Sequence, residues 1–145
     1  MKRTPSPDAW QALLDWFQTL TPDSLGEIGR YYADEARFKD PFNDVRGVPA
    51  IEAVFRHMFK TVDEPRFTVL HALRDGDQAF ITWDFDFAYA GRRVNIHGGS
   101  HLRFDADGKV MLHRDYWDAA EELLEKIPLL GLPVAWMRKK LRVPT

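Results

Sequence analysis

Three turn signals, Asp75-Gly76, Ala90-Gly91 and Asp107-Gly108, divide residues 66–117 into runs that alternate apolar with polar side chains. A period of two between glycine turns is the pattern of consecutive hairpins, so this half of the chain is expected to fold as a four-stranded antiparallel meander. Phe67, Val69, His71 and Leu73 share one face of the first run, and Ile81, Trp83, Phe85, Phe87 and Tyr89 share one face of the second, Ala79 to Tyr89. In the run Arg93 to Phe104, the alternation places Ser100, Leu102 and Phe104 on the same side as that aromatic face. The last run, Val110 to Trp117, places Met111, His113, Asp115 and Trp117 together. Gly98-Gly99 is read as a bulge that curves the sheet strongly.

The first half has the other period. Trp10, Leu13, Leu14, Phe17 and Leu20 form one helical stripe. Leu25, Ile28, Tyr31 and Tyr32 form a second, and Ile51, Val54, Phe55, Met58 and Phe59, behind Gly47-Val48-Pro49, form a third. Between the second and third lies Ala36 to Asp40, which alternates and then meets Pro41, the signature of a short strand ending in an Asp-Pro turn. The resulting order is α-α-β-α-β-β-β-β: an α+β domain with helices folded against one curved sheet, forming a cone with a single mouth. Residues 1–145 read as one domain, with 121–145 as a C-terminal helical extension.

Charge and composition exclude several classes of function. The 20 basic and 22 acidic side chains leave a net charge of −2 and a pI near 6.2, without the basic excess that a nucleic-acid binder uses against phosphate. No cysteine is present, which removes disulfides, thiolate catalysis and cysteine-ligated metal centres. The start Met1-Lys2-Arg3-Thr4-Pro5-Ser6-Pro7 has no signal-peptide core, and Ile127 to Met137 is far short of the ~20 apolar residues that span a bilayer, so a cytoplasmic protein is expected. The basic tail Arg138-Lys139-Lys140-Leu141-Arg142 is better read as packing its apolar side on the protein than as lying on a membrane.

The run Tyr31-Tyr32-Ala33-Asp34-Glu35-Ala36-Arg37-Phe38-Lys39-Asp40-Pro41, with Gly47-Val48-Pro49-Ala50-Ile51 and His113-Arg114-Asp115-Tyr116-Trp117-Asp118, resembles the nuclear-transport-factor-2-like superfamily over about residues 8–120. That superfamily contains ketosteroid isomerases, SnoaL-like cyclases, scytalone dehydratases and limonene-epoxide hydrolases. The resemblance implies a cystatin-like cone and a homodimer through the outer sheet face. It places Asp40 where the isomerases keep their catalytic base, Trp16 where they keep an oxyanion-holding tyrosine, and Ser100 where they keep a protonated aspartic acid. It also matches Asp115 to one of the two epoxide-hydrolase carboxylates, while Ile81 and Trp83 stand where that family has its arginine and second aspartate. The chain thus resembles each chemistry in part and neither in full.

The residues themselves point the same way. Asp40, Asp115 and His113 would place two carboxylates and an imidazole in an aromatic-walled hollow, where burial and like charge separate one acid from one base near neutral pH. The expected activity is isomerisation, cyclisation or hydration of a small hydrophobic molecule, without metal or organic cofactor. Asp40 takes the proton, Asp115 and His113 return it or orient water, and Trp16 and Ser100 steady a developing oxyanion. Phe55, Phe59, Trp83, Phe85 and Trp117 wall the pocket. The same side chains admit plainer roles: Asp40 as a turn cap, Asp115 as a structural partner, His113 as an interior histidine. A non-catalytic binder of an apolar metabolite, or a structural dimeric module, is the alternative function. His97 and His101 lack a third ligand and make a weak metal signal.

Overall fold

A computed structural model describes residues 7–118 together with Leu141 and Val143. The C-terminal helical extension expected over 121–145 therefore lies, apart from those two residues, outside the described residues. Helix α1 (Pro7–Gln18) buries Leu13, Leu14, Trp16 and Phe17. A 3-10 helix (Ser24–Arg30) follows, then β1 (Tyr32–Lys39), β2 (Asp44–Arg46), α2 (Val48–Thr61), β3 (Asp63–Asp75), β4 (Gln78–Tyr89), β5 (Arg92–Phe104) and β6 (Val110–Tyr116). The α+β class stands. The meander is present as β3 to β6, and its turns use the left-handed backbone of Gly76, Gly91 and Gly108.

The sheet itself departs from the expectation in three respects. It has six strands in the order β2-β1-β6-β5-β4-β3, and it is mixed, because β1 runs parallel to β6. It is not strongly curled. Gly98 and Gly99 are not a bulge: they pair in unbroken register with Trp83 and Thr82. Their role is to make room for rings. A Cβ on Gly98 would lie 2.6 Å from the Trp83 indole, and one on Gly99 would lie 2.7 Å from the Phe80 ring. Each glycine is covered by an aromatic side chain on its own face of the sheet.

The register shifts among the described strands lie elsewhere: between Asp63 and Arg66 in β3, between Tyr32 and Arg37 where β1 meets β6, and at two places that turn side chains over. One of these two falls between Val69 and His71 opposite Trp83 and Thr82, the other where Phe104 pairs Val110 and Arg103 pairs Leu112. Each inserts one extra residue, Leu70 or Met111, and both are exposed. Past the first shift His71 and Leu73 turn outward, so they do not share a face with Phe67 and Val69. Past the second, Val110 faces the core and Met111 does not join His113.

The second helical stripe also ends sooner than expected. The 3-10 helix stops at Arg30, and Tyr32 opens β1 as a fully buried residue rather than lying on a helix face. Among the described residues, no helix is long and apolar enough to cross a membrane.

Candidate functional site

Proline at position 41 ends β1 and bends the chain into the hairpin that leads to β2. Asp40 closes that turn with its side chain: Oδ1 accepts the backbone N–H of Phe42 at 2.8 Å and of Asn43 at 2.6 Å. The Asn43 side-chain amide donates to both carboxylate oxygens, at 3.2 and 3.3 Å. Asn43 is buried, and its own Oδ1 accepts the backbone N–H of Val143 at 3.2 Å. Asp40 is therefore both a turn cap and a cavity residue.

The parallel pairing of β1 and β6 supplies the second carboxylate. Phe38 lies beside His113 and Lys39 beside Arg114, so the next residue of each strand is Asp40 and Asp115. Burial pushes the Asp40 carboxyl up from 3.8 to about 6, and the Asp115 charge pushes the same way; the hydrogen bonds from Phe42 and Asn43 oppose this without reversing it.

Asp115 is held by a chain of hydrogen bonds through the core. Trp83 Nε1–H donates to Ser100 Oγ at 2.8 Å, and Ser100 Oγ–H donates to Asp115 Oδ1 at 2.5 Å. His113 Nε2 lies 2.6 Å from the same Oδ1, and the hydroxyl of Tyr32 lies 2.6 Å from His113 Nδ1. Rings of Phe17, Phe38 and Phe55 enclose the imidazole. Burial, with the Asp115 charge in addition, holds the Tyr32 phenol well above its ordinary value, so it stays protonated.

These groups border a cavity of about 110 Å³ whose walls include Phe38, Phe42, Phe55, Trp83, Phe85 and Trp117, with Asp40 and Asp115 as its carboxylates. Leu141 closes part of the same wall. A smaller space of about 30 Å³ adjoins it, against Ser100, His113 and Asp115. Asp40 and Asp115 also border an open groove on another side, with Lys39, Arg114 and Asp118. The two carboxylates thus stand between an apolar hollow and a solvated surface.

Of the residues expected from sequence, Asp40, Asp115, Phe55, Trp83, Phe85 and Trp117 meet around the main cavity, and His113 and Ser100 around the smaller one. Trp16 and Phe59 line neither. The Trp16 indole N–H donates to the Ser24 carbonyl at 3.0 Å and its ring packs on Tyr31, so it has no donor left for an oxyanion. Phe59 packs against the core, while Met58 and Val62 extend the cavity wall begun by Val54 and Phe55. Tyr32 and Asn43 were missed. An Asp-Pro-Phe-Asn turn marks Asn43 as the partner of its first residue, whereas Tyr32 carries no such mark, because Asp34 between it and Ala36 is exposed and the register shifts before Arg37.

His97 Nδ1 pairs with Asp84 at 3.0 Å and His101 Nε2 with Gln78 at 2.9 Å, both exposed. Among the described residues, no group of three or more histidine and carboxylate side chains is placed to hold a metal ion.

Comparison with known proteins agrees with this architecture. No curated protein sequence matches the chain. A hypothetical protein with a ketosteroid-isomerase-like fold from Catenulispora acidiphila, solved with trimethylamine, superimposes with a TM-score of 0.70 at 18% identity, over 91% of this chain and 98% of that one. An M. tuberculosis LEH-like epoxide hydrolase gives 0.66 at 20% identity over 85% and 92%. A protein from Shewanella denitrificans assigned as a SnoaL-like polyketide cyclase gives 0.69 at 18% over 83% and 97%. At these identities the likeness is one of fold. The sequence model of the SnoaL-like domain matches residues 13–113, most of the described structure, and the chain belongs to the SnoaL-like domain family.

Proposed function

We propose that the protein is an enzyme that moves a proton on a small, largely hydrophobic molecule, by isomerisation, cyclisation or hydration, using its own carboxylates. The observation that carries this reading is the Asp40 carboxyl, raised to about 6 in an apolar cavity beside a second carboxylate. A group that titrates there is half ionised just below neutral pH, the range in which one side chain can both accept and return a proton. Asp40 Oδ2 has only the long contact from Asn43 and is the atom better placed to take a proton from a ligand. Asp115, with Ser100 and His113 on Oδ1, offers its other oxygen to orient a substrate hydroxyl or a water. Fold relatives assigned as a cyclase and an epoxide hydrolase belong to the same range of chemistry.

The test is turnover on a panel of single-ring ketones, enols and epoxides by the wild type, Asp40→Asn and Asp115→Asn, with melting temperatures measured alongside. Loss of turnover by a factor of about 100 or more in folded Asp40→Asn supports the proposal. Wild-type turnover that both substitutions leave unchanged overturns it, and ligand binding without turnover by any form points instead to a binding protein.

A further inference from the structure

We propose that Tyr32 is a positioning residue: its hydroxyl fixes His113 in the Nε2–H tautomer, so that any proton taken up by the buried chain of bonds goes to the free Asp115 oxygen. The hydrogens in this chain of bonds can be counted group by group. Four bonds link five groups, Trp83 to Ser100, Ser100 to Asp115, His113 to Asp115 and Tyr32 to His113. Trp83 can only donate, so Ser100 accepts from it and gives its own hydrogen to Asp115. Both ends of the chain then converge on Asp115 Oδ1. One indole, one serine, one imidazole and one phenol hydrogen fill the four bonds with Asp115 as carboxylate and His113 neutral.

A fifth hydrogen has two places to go. On His113 Nδ1 it would force the Tyr32 hydroxyl to become the acceptor and turn its own hydrogen into the core. Tyr32 is 0% exposed, and the groups packed on His113 from the other elements are Phe17 of α1, Phe55 of α2 and Phe38 of β1, none of which accepts a hydrogen bond well. The titratable groups facing His113 are Tyr32 and Asp115, with Asp40 beyond Asp115. The remaining place is Asp115 Oδ2, which takes none of the four bonds and belongs to a residue that lines both cavities. Tyr32 itself lines neither cavity and acts only through His113. This assignment draws its purpose from the acid–base reading above, but its test does not depend on turnover.

The test is long-range proton–nitrogen NMR of the histidine rings in the full-length protein at pH 7.5, with Tyr32→Phe beside the wild type. Wild-type His113 is expected as the Nε2–H tautomer, with a Tyr32 hydroxyl proton protected from exchange. In Tyr32→Phe the preference for that tautomer is expected to fall by about tenfold, the value of one lost hydrogen bond. A wild-type Nδ1–H tautomer, which needs no variant to detect, overturns the assignment, as does an unchanged tautomer ratio in folded Tyr32→Phe. Where a substrate is in hand, Tyr32→Phe is expected to lower kcat by about tenfold and leave KM in place. A changed KM with unchanged kcat would place Tyr32 in binding and also overturn it. Failure to find any substrate counts against the proposed enzyme and leaves the NMR outcome decisive for Tyr32.

Discussion

Asp40 serves the turn with one oxygen and the cavity with its side chain as a whole, and the two roles have opposite energetic signs. The backbone N–H groups of Phe42 and Asn43 stabilise its ionised form, whereas burial and the Asp115 charge oppose that form more strongly. Because the folded value, about 6, lies above the ordinary 3.8, the native state binds this proton more tightly than the unfolded chain does. Stability contributed at Asp40 is therefore greatest below pH 4 and is lost as pH rises through about 6, a loss on the order of 3 kcal/mol at neutral pH. Asparagine keeps an acceptor for the two turn N–H groups and carries no charge. Asp40→Asn is expected to raise the melting temperature at pH 7.5, to leave it nearly unchanged at pH 4, and to abolish turnover; paired thermal scans at the two pH values check this. A carboxylate that served only as a turn cap would leave the melting temperature nearly unchanged at both pH values, since asparagine caps about as well as aspartate. Because Asp40 must be ionised to take the proton, wild-type kcat/KM is expected to fall below pH about 6.

Among the elements, β5 sets the geometry of the buried chain of bonds. Gly98 stands directly opposite Trp83 and leaves the space its indole occupies on the way to Ser100. Gly98→Ala would put a methyl 2.6 Å from that ring, so a cost of about 1–3 kcal/mol is expected, read as a lower urea midpoint. The indole would move off Ser100, and tryptophan fluorescence should report the change. Gly26→Ala, with nothing within 4 Å of the new methyl, is the control for glycine replacement.

The same strands show what the sequence disclosed and what it withheld. Turn glycines and period-two alternation marked β3 to β6 and the inward set Trp83, Phe85, Ser100 and Asp115, because those signals are local. They could not mark the extra residues at Leu70 and Met111, since a register shift is a property of two strands together and each looks like ordinary alternation in one. Nor could they reveal the parallel pairing of β1 with β6. Leu25, Ile28 and Tyr32 also satisfy helical spacing, and only the partner on β6 decides between the two periods for Tyr32. Family position alone puts Trp16 at the site. Its own neighbours, Ser24 and Tyr31, give its indole a structural partner.

For the molecule as a whole, cavity size limits what can enter. About 110 Å³ is near the 150 Å³ or so that holds benzene in an engineered apolar cavity, so single-ring or short branched molecules are expected to be enclosed, and four-ring sterols are not. Isothermal titration with a size series from cyclohexanone to a decalone and a steroid ketone checks this; tightest binding at the steroid end would refute it. Phe85→Trp, which fills the space, is expected to weaken binding of every member.

The seam between β1 and β6 has a consequence in time. The bond from Tyr32 to His113 joins positions 81 residues apart, and the two carboxylates sit at the end of that same strand pair. During synthesis the amino-terminal partner must wait, without its mate, until almost the whole meander has left the ribosome. Hairpins β3–β4 and β4–β5 can form earlier from neighbouring sequence, whereas the long-range closure comes late. Nascent or truncated chains that end before β6 can thus collect much of their secondary structure and still have no site at all.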